Sequence, residues 1–207
     1  MAQKQLPITI NRLEAFSDGV IAIVITLMIL EIKIPTVAAN ATADEIWNGW
    51  FNVLPSILVY ILSFVMLGVL WVNHHQFFNQ LKHLDAKLLW YNLHLLFWMC
   101  IVPIPTAFLG HHFQMPQATA IYGFTMFMNA VAFALMREYV NRNSHLFITN
   151  LSTGIRKKMR KKLWGTVALY FVSIFAGYIS IYISLAIFVL IIIIYFMPQA
   201  IVVEVVD

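Results

Sequence analysis

Charged residues are scarce in this chain of 207 residues: Asp, Glu, Lys and Arg make up 11% of it. A soluble domain of this size carries about a quarter. Hydrophobic residues make up 61%, and the mean hydropathy is +0.81. Since Ile, Leu, Val and Phe occur in runs long enough to cross a bilayer, the composition excludes an ordinary soluble domain and indicates an integral membrane protein.

Cysteine is also nearly absent. Cys100 is the single cysteine and lies in an apolar run, which excludes a disulfide framework and a thiolate metal cluster. The formal net charge is +4, because nine acidic residues stand against 13 basic ones. The basic residues flank the hydrophobic runs, where they act as topology signals, so nucleic acid is not an expected partner.

Six apolar runs follow one another, each near the length of about 20 residues that a membrane helix needs. They cover residues 13–34, 51–72, 88–109, 118–136, 163–179 and 183–203. The last two form one uncharged stretch that is too long for a single span, so we predict a tight turn near residues 177–182. The sequence therefore predicts an all-α integral membrane protein, a single domain over residues 1–207 with six transmembrane helices.

Positive charge is distributed unevenly between the two sides of such a bundle. If the N-terminus is cytoplasmic, every Lys and Arg except Lys33 falls on the cytoplasmic side. The positive-inside rule then places both termini in the cytoplasm. Trp47 and Trp50 would mark the outer interface, and Trp90 and Trp164 the inner one, as expected of an aromatic belt.

The first apolar run begins with RLEAFSDGVIAIVIT, residues 12–26, and so has ionisable groups in its first two turns. Charges in a membrane span usually face a protein interior or a water-filled cavity, so this helix should be surrounded by protein. Glu14 and Asp18 also occupy the part of a signal peptide that is normally cationic. We therefore expect the segment to be retained as a helix.

Spacing separates two faces of this first helix. Bulky side chains recur at steps of four and three, a pattern typical of helix packing. They are Phe16, Val20, Ile23, Leu27, Leu30 and Ile34. A second stripe, Gly19, Ala22 and Thr26, is small and suits the close approach of another helix. The bulky stripe is either ordinary core or the lining of a pore between several copies of the helix, where an apolar constriction can gate by dewetting.

Candidate partners for the charged entrance lie at the end of the second run, LWVNHHQFF, residues 70–78, on the predicted cytoplasmic side. Its indole, amide and imidazole groups can donate to a carboxylate or a hydroxyl. An unpaired carboxylate in a span is costly, so Asp18 is predicted to be a buried acceptor for a donor on a neighbouring helix. Adjacent helical residues point about 100° apart, so one of His74 and His75 should face the first helix and the other should be solvated.

Histidine pairs raise the possibility of metal chemistry. The topology places His74 and His75 inside and His111 and His112 outside, about 30 Å of hydrocarbon apart. No HExxH, Ser/His/Asp arrangement or phosphate-binding loop occurs in the sequence. We therefore expect no enzyme, no cofactor and no metal site.

The motif RxxxFSDG and the downstream WVNHHQFF resemble the transmembrane protein 175 family, the lysosomal-type potassium channels and their prokaryotic relatives, and the likeness extends over the six-span chain. The resemblance implies a potassium-permeable cation channel, a homotetramer whose pore is lined by the first helix. The TVGYG filter of ordinary potassium channels, which that family lacks, is absent here too. In such a pore, Ile23, Leu27 and Leu30 would form the constriction, with Ile23 the narrowest.

The resemblance also implies contacts between the first and second helices on the cytoplasmic side. They would involve Arg12, Phe16, Ser17, Asp18, Trp71, Asn73 and one of His74 and His75. The implied partners are potassium ions, the lipid bilayer of a prokaryotic cell membrane and further copies of the chain. Two alternatives remain open: a proton-coupled ion transporter that uses Asp18 or a histidine, and a membrane enzyme with a histidine metal site.

Overall fold

The computed structural model describes residues 9–36, 38–147 and 153–196, and these residues form a helical bundle without a β-sheet. The prediction of an all-α protein is confirmed. The described α-helices are α1 Ile10–Leu27, α2 Ala43–Phe78, α3 Ala86–Ile101, α4 Pro103–His111, α5 Pro116–Arg142, α6 Thr153–Ala176 and α7 Ile181–Phe196. Short 3-10 helices, Met28–Glu31 and Ser144–Leu146, follow α1 and α5.

These helices match the six predicted runs. Four described segments are long and apolar enough to cross a membrane: Ile10–Glu31, Ala43–Phe78, Ala86–His111 and Pro116–Arg142. The fifth and sixth runs correspond to α6 and α7, and the turn between these helices lies at residues 177–180, as predicted. Residues 197–203 of the sixth run lie outside the described residues.

α2 and α3 begin before their apolar runs because caps, and not apolarity, fix their first residues, whereas the first run stops being helical at Glu31, before the predicted residue 34. α2 begins at a capping box in which the Thr42 side chain accepts from the Glu45 N–H and the Glu45 carboxylate accepts from the Thr42 N–H, at 2.8 Å. It continues to Phe78, well past the predicted residue 72. The side chain of Asp85 caps α3 in the same way by accepting from the Leu88 N–H at 2.8 Å.

The third predicted run is interrupted at Val102, between α3 and α4, where a single helix was expected. Pro103 lacks an N–H and cannot bond to the Met99 carbonyl four residues earlier. The Val102 N–H bonds to that carbonyl instead, at 3.1 Å, and Val102 keeps helical dihedral angles. The interruption is therefore a local break in the hydrogen-bond ladder within one membrane crossing.

The centre of the bundle is α5, which packs against α3, α4, α6 and α7. Its buried side chains include several alanines, which let neighbouring helices approach closely. Tyr122 of α5 is fully buried, and its hydroxyl forms a hydrogen bond with the Ser63 hydroxyl at 3.0 Å. The Ser63 hydroxyl also accepts a hydrogen bond from the Thr106 hydroxyl at 2.9 Å. These three side chains tie α2, α4 and α5 together in the core.

Close packing of α4 on α2 depends on Gly110. A Cβ at this position would lie 2.9 Å from the Cα of Ser56, so the two helices would have to separate. We expect Gly110→Ala to lower the free energy of unfolding by about 1–3 kcal/mol, the usual cost of overpacking. The midpoint of thermal unfolding in detergent measures this effect.

Gly68→Ala is the matched control, since a Cβ at Gly68 of α2 meets nothing within 4 Å. It should be neutral or stabilise by up to about 1 kcal/mol through the better helix propensity of alanine. Equal midpoints for the two alanine variants would contradict the close contact between α2 and α4.

Candidate functional site at the first helix

One face of α1 packs against the rest of the chain. Its buried residues are Leu13, Ser17, Ile21, Val24 and, in the following 3-10 helix, Met28. This face contacts α2 and α3, and the 3-10 helix contacts α4. The stripe was not singled out in the sequence, although its spacing of four, four, three and four is just as helical as that of the bulky stripe.

The other two stripes of α1, of which the bulky one continues into the 3-10 helix at Leu30, are mostly exposed; in the bulky stripe, Val20 packs partly against the core. In the bulky stripe, Ile23 is 58% exposed, Leu27 49% and Leu30 73%. In the small stripe, Gly19 is exposed, and a Cβ built there would meet nothing within 4 Å. Within one chain, both stripes are therefore open surfaces of an apolar helix.

A buried chain of polar side chains holds the N-terminal half of α1 to α3 and α2. The Ser17 hydroxyl donates to the Leu13 carbonyl at 2.8 Å and accepts from the Asn92 amide nitrogen at 2.9 Å. The Asn92 oxygen lies 2.8 Å from Nε2 of His74, so this ring nitrogen carries a proton and donates. All three side chains are completely buried.

Asn92 was not among the predicted site residues, yet it is the link between three helices. Its signal in the sequence was an amide inside a largely apolar run, a position where a polar side chain must find partners within the protein. The opposite ring nitrogen of His74, Nδ1, is buried without a hydrogen-bond partner in the described part of the chain. The ring also stacks on Phe78, with 4.3 Å between centroids.

A second set of contacts joins α1 directly to α2. The Trp71 indole N–H donates to Oδ1 of Asp18 at 2.8 Å. One turn earlier, Oε1 of Glu14 lies 2.8 Å from Nδ1 of His75, an ion pair whenever the ring is protonated. The pair is not an aligned hydrogen bond, since this Glu14 oxygen is buried without one. The Trp71 and His75 rings stack above these contacts.

Two expectations about these residues need correction. Asp18 is half-buried in the chain and not fully buried, because it lies at the open edge of the bundle. The exposed histidine, His75, is the one that touches α1 directly, whereas the buried His74 reaches α1 through Asn92. Glu14 was also missed as a contact residue, although it lies one helical turn before Asp18.

Three other predicted residues have different surroundings. Asn73 donates to the Val69 carbonyl of its own helix at 2.7 Å, and it lines the cavity between α2, α5, α6 and α7. Phe16 is 53% exposed. Arg12 is exposed; its backbone N–H bonds to the Thr9 side chain, and its own side chain makes no hydrogen bond or ion pair with the described residues.

Glu14, Asp18 and His75 together could hold a divalent cation. Each offers one ligand atom, and these atoms lie within 4.8 Å of one another. Carboxylate and imidazole are common ligands of zinc and similar metals. The sequence predicted no metal site because its two histidine pairs lie far apart, and this cluster instead combines one histidine with two acids of another helix. The second histidine pair lies far from this cluster. Because Gly110 packs on Ser56 in the first half of α2, the neighbouring His111 lies well away from His75, which is near the C-terminal end of that helix.

Apolar helices of membrane length, a polar cluster at one end of the bundle and a helix with open apolar faces define a multi-pass integral membrane protein. A family model described as "Endosomal/lysosomal potassium channel TMEM175" matches residues 12–103, from α1 to the start of α4. This match, together with a bacterial potassium channel that is 36% identical over 92% of the chain, shows that the chain belongs to the TMEM175 family. This is a family of ion channels, so the expectation that the chain is not an enzyme is confirmed, and the alternative of a membrane metalloenzyme no longer stands.

Relatives cover nearly the whole chain. A potassium channel from Chryseobacterium sp. (strain P1-3) is 36% identical over 197 residues, which are 92% of this chain and 94% of the relative. The crystal structure of a lysosomal potassium-selective channel TMEM175 homolog from Chamaesiphon minutus superposes with a TM-score of 0.76 at 28% identity, covering 90% of this chain and 95% of that one. The endosomal/lysosomal proton channel TMEM175 of Gallus gallus is 42% identical over 77 residues, 35% of this chain and 15% of that protein.

Proposed function

We propose that this protein conducts potassium ions passively across a prokaryotic cell membrane, through a pore that copies of α1 form around the axis of a homotetramer. Both termini are cytoplasmic in this arrangement. The observation that carries the proposal is the open face of α1, where Ile23, Leu27 and Leu30 project away from the chain's own bundle. The Chryseobacterium relative, which is named a potassium channel, supports the choice of ion.

The two open stripes of α1 suit two different neighbours. The small stripe at Gly19, Ala22 and Thr26 lets the helix of an adjacent subunit approach closely. The bulky stripe then faces the axis, where rings of Ile23, Leu27 and Leu30 narrow the pore. A narrow apolar ring resists water as well as ions, so it can close the pore by dewetting.

Such a constriction predicts modest selectivity. It offers no carbonyl oxygens to replace the hydration shell of potassium, which a TVGYG filter would do. Preference for potassium over sodium would then arise from the cost of squeezing a partly hydrated ion. That cost is larger for sodium because sodium holds its water more strongly.

The polar cluster has a positioning role in this proposal. Ser17 is tied to α3 through Asn92, and Asp18 is tied to α2 through Trp71. Both contacts fix the entrance of α1 relative to the bundle. They therefore determine how the next turns, which carry Ile23 and Leu27, are presented to the axis.

Single-channel recording in planar bilayers under opposed potassium and sodium gradients tests the proposal. We expect unitary currents whose reversal potential lies closer to the equilibrium potential of potassium than to that of sodium. The remaining difference from the potassium value would report measurable sodium permeation. Bilayers with reconstitution buffer alone are the control. Complete rejection of sodium would contradict an apolar constriction, and the absence of unitary currents would contradict a channel.

A proton-coupled transporter is the second candidate, and two observations favour it. Glu14, Asp18 and His75 form a compact titratable cluster at the entrance of α1, and the Gallus gallus relative is named a proton channel. A transporter would give potassium flux into liposomes that saturates and requires a proton gradient. Flux that is independent of the gradient would exclude this candidate.

A further inference from the structure

A strongly basic cavity lies between the C-terminal end of α5 and the first turns of α6. Its volume is about 340 Å³. It is lined by Glu138, Asn141, Arg142, Arg156, Lys157 and Arg160. Four of these side chains are cationic and one is anionic, so the cavity has a large excess of positive charge.

Both oxygens of the single carboxylate in the cavity, that of Glu138, are paired with arginines. Oε1 of Glu138 lies 3.2 Å from Nε of Arg142, and its Oε2 lies 3.3 Å from Nε of Arg160. Glu138 is mostly buried, whereas the two arginines are largely exposed. The carboxylate therefore holds one arginine from each helix by its Nε, and the terminal amino groups of both remain available as donors.

Arg156 adds a buried donor that has no acceptor. Its Nε is fully buried and makes no hydrogen bond in the described part of the chain. The guanidinium carbon lies 5.5 Å from the centre of the Phe147 ring, a cation–π contact that helps to hold the group in place. A buried donor without an acceptor is costly, so an anion at this position would stabilise the arrangement.

The cavity lies where α6 enters the membrane. The apolar part of α6 begins at Leu163, directly after the basic residues, so the cavity is at the depth of the lipid headgroups. It is also on the side that the distribution of Lys and Arg predicts to be cytoplasmic. Basic cavities between membrane helices on this side are suited to phosphate-bearing headgroups, since guanidinium groups bind phosphate oxygens in pairs.

We propose that this cavity binds the phosphate group of an anionic phospholipid, held by Arg142, Arg156, Lys157 and Arg160. Glu138 orients two of these arginines. A free phosphate ion shares the same chemistry, but the position of the cavity at the membrane surface favours a lipid. Binding would hold α5 and α6 together at their cytoplasmic ends.

Native mass spectrometry of the full chain in detergent tests this site, with added phosphatidylglycerol, phosphatidylcholine or inorganic phosphate. We expect phosphatidylglycerol to be retained more strongly than phosphatidylcholine. The double variant Arg142→Gln/Lys157→Gln should raise the apparent Kd for phosphatidylglycerol about thirtyfold, since each basic group contributes roughly a factor of five. Both positions are exposed, so the fold should tolerate the change.

Lys158→Gln/Lys161→Gln is the matched control. It removes the same charge from two exposed positions of α6 that do not line the cavity, and it should leave the Kd unchanged. Equal losses in the two double variants, or equal retention of the two lipids, would overturn the proposal. If millimolar inorganic phosphate displaces phosphatidylglycerol from the wild type, the assignment to a lipid is overturned in favour of a free anion.

Discussion

Ile23→Ala should increase the unitary potassium conductance by up to about tenfold and weaken the preference for potassium over sodium. The substitution removes three carbon atoms from each subunit at the predicted narrowest ring, so the pore widens and water enters it more readily. A tenfold rise corresponds to a barrier lowered by about 1.4 kcal/mol. Single-channel recording of wild type and variant under the same ionic gradients measures both effects.

The control for this variant is Ile121→Ala, which makes the same change at an exposed position of α5. It should leave conductance and reversal potential unchanged. If Ile23→Ala behaves like this control, Ile23 does not line the ion path, and Leu27 and Leu30 become the next positions to test.

Asn92→Ala should destabilise the protein by about 1–3 kcal/mol. The substitution leaves the Ser17 hydroxyl without a donor and Nε2 of His74 without an acceptor, both completely buried. A single hydrogen bond between membrane helices usually contributes to stability at the lower end of this range. The Asn92 side chain, however, bonds to two neighbouring helices, α1 and α2. The midpoint of thermal unfolding in detergent is the measurement.

Asn73→Ala is the appropriate comparison for Asn92→Ala. Its amide donates only within α2, to the Val69 carbonyl, so its removal should change stability by about 0.5 kcal/mol or less. A loss as large as that of Asn92→Ala would indicate that Asn73 has a structural role of the same weight. A negligible loss for Asn92→Ala would contradict the assignment of Asn92 as the link between α1, α2 and α3.

The number and order of the long apolar segments could be predicted from the sequence because such runs are a strong signal. The length of the apolar run did not predict the ends of α2. The helix begins at the capping box of Thr42, and its polar C-terminal residues remain helical as far as Phe78. The interruption before Pro103 was also missed, since the apolar run continues across it. Apolarity reports which residues lie in the membrane and says little about hydrogen bonding along the helix.

The site was harder to predict than the fold. Charges at the entrance of α1 indicated that partners were needed, and Trp71 was among the candidates. Which of the candidate side chains on α2 contacts α1 depends on how each helix is rotated about its axis. The sequence alone does not determine that rotation. For the same reason, the sequence analysis singled out two stripes of α1 and passed over a third of equally helical spacing, and the structure was needed to show that this third stripe, through Ser17 and Ile21, is the buried one.

The separation of α1 into a packed face and open faces has a consequence for how this protein can evolve. Ile21 and Val24 are buried in the subunit, so their replacement would cost stability. Ile23, Leu27 and Leu30 bury little within the chain, so their identities can change without disturbing the packing that folds it. If these side chains line the proposed pore, natural variation at the open positions would alter permeation while the fold of the chain is kept.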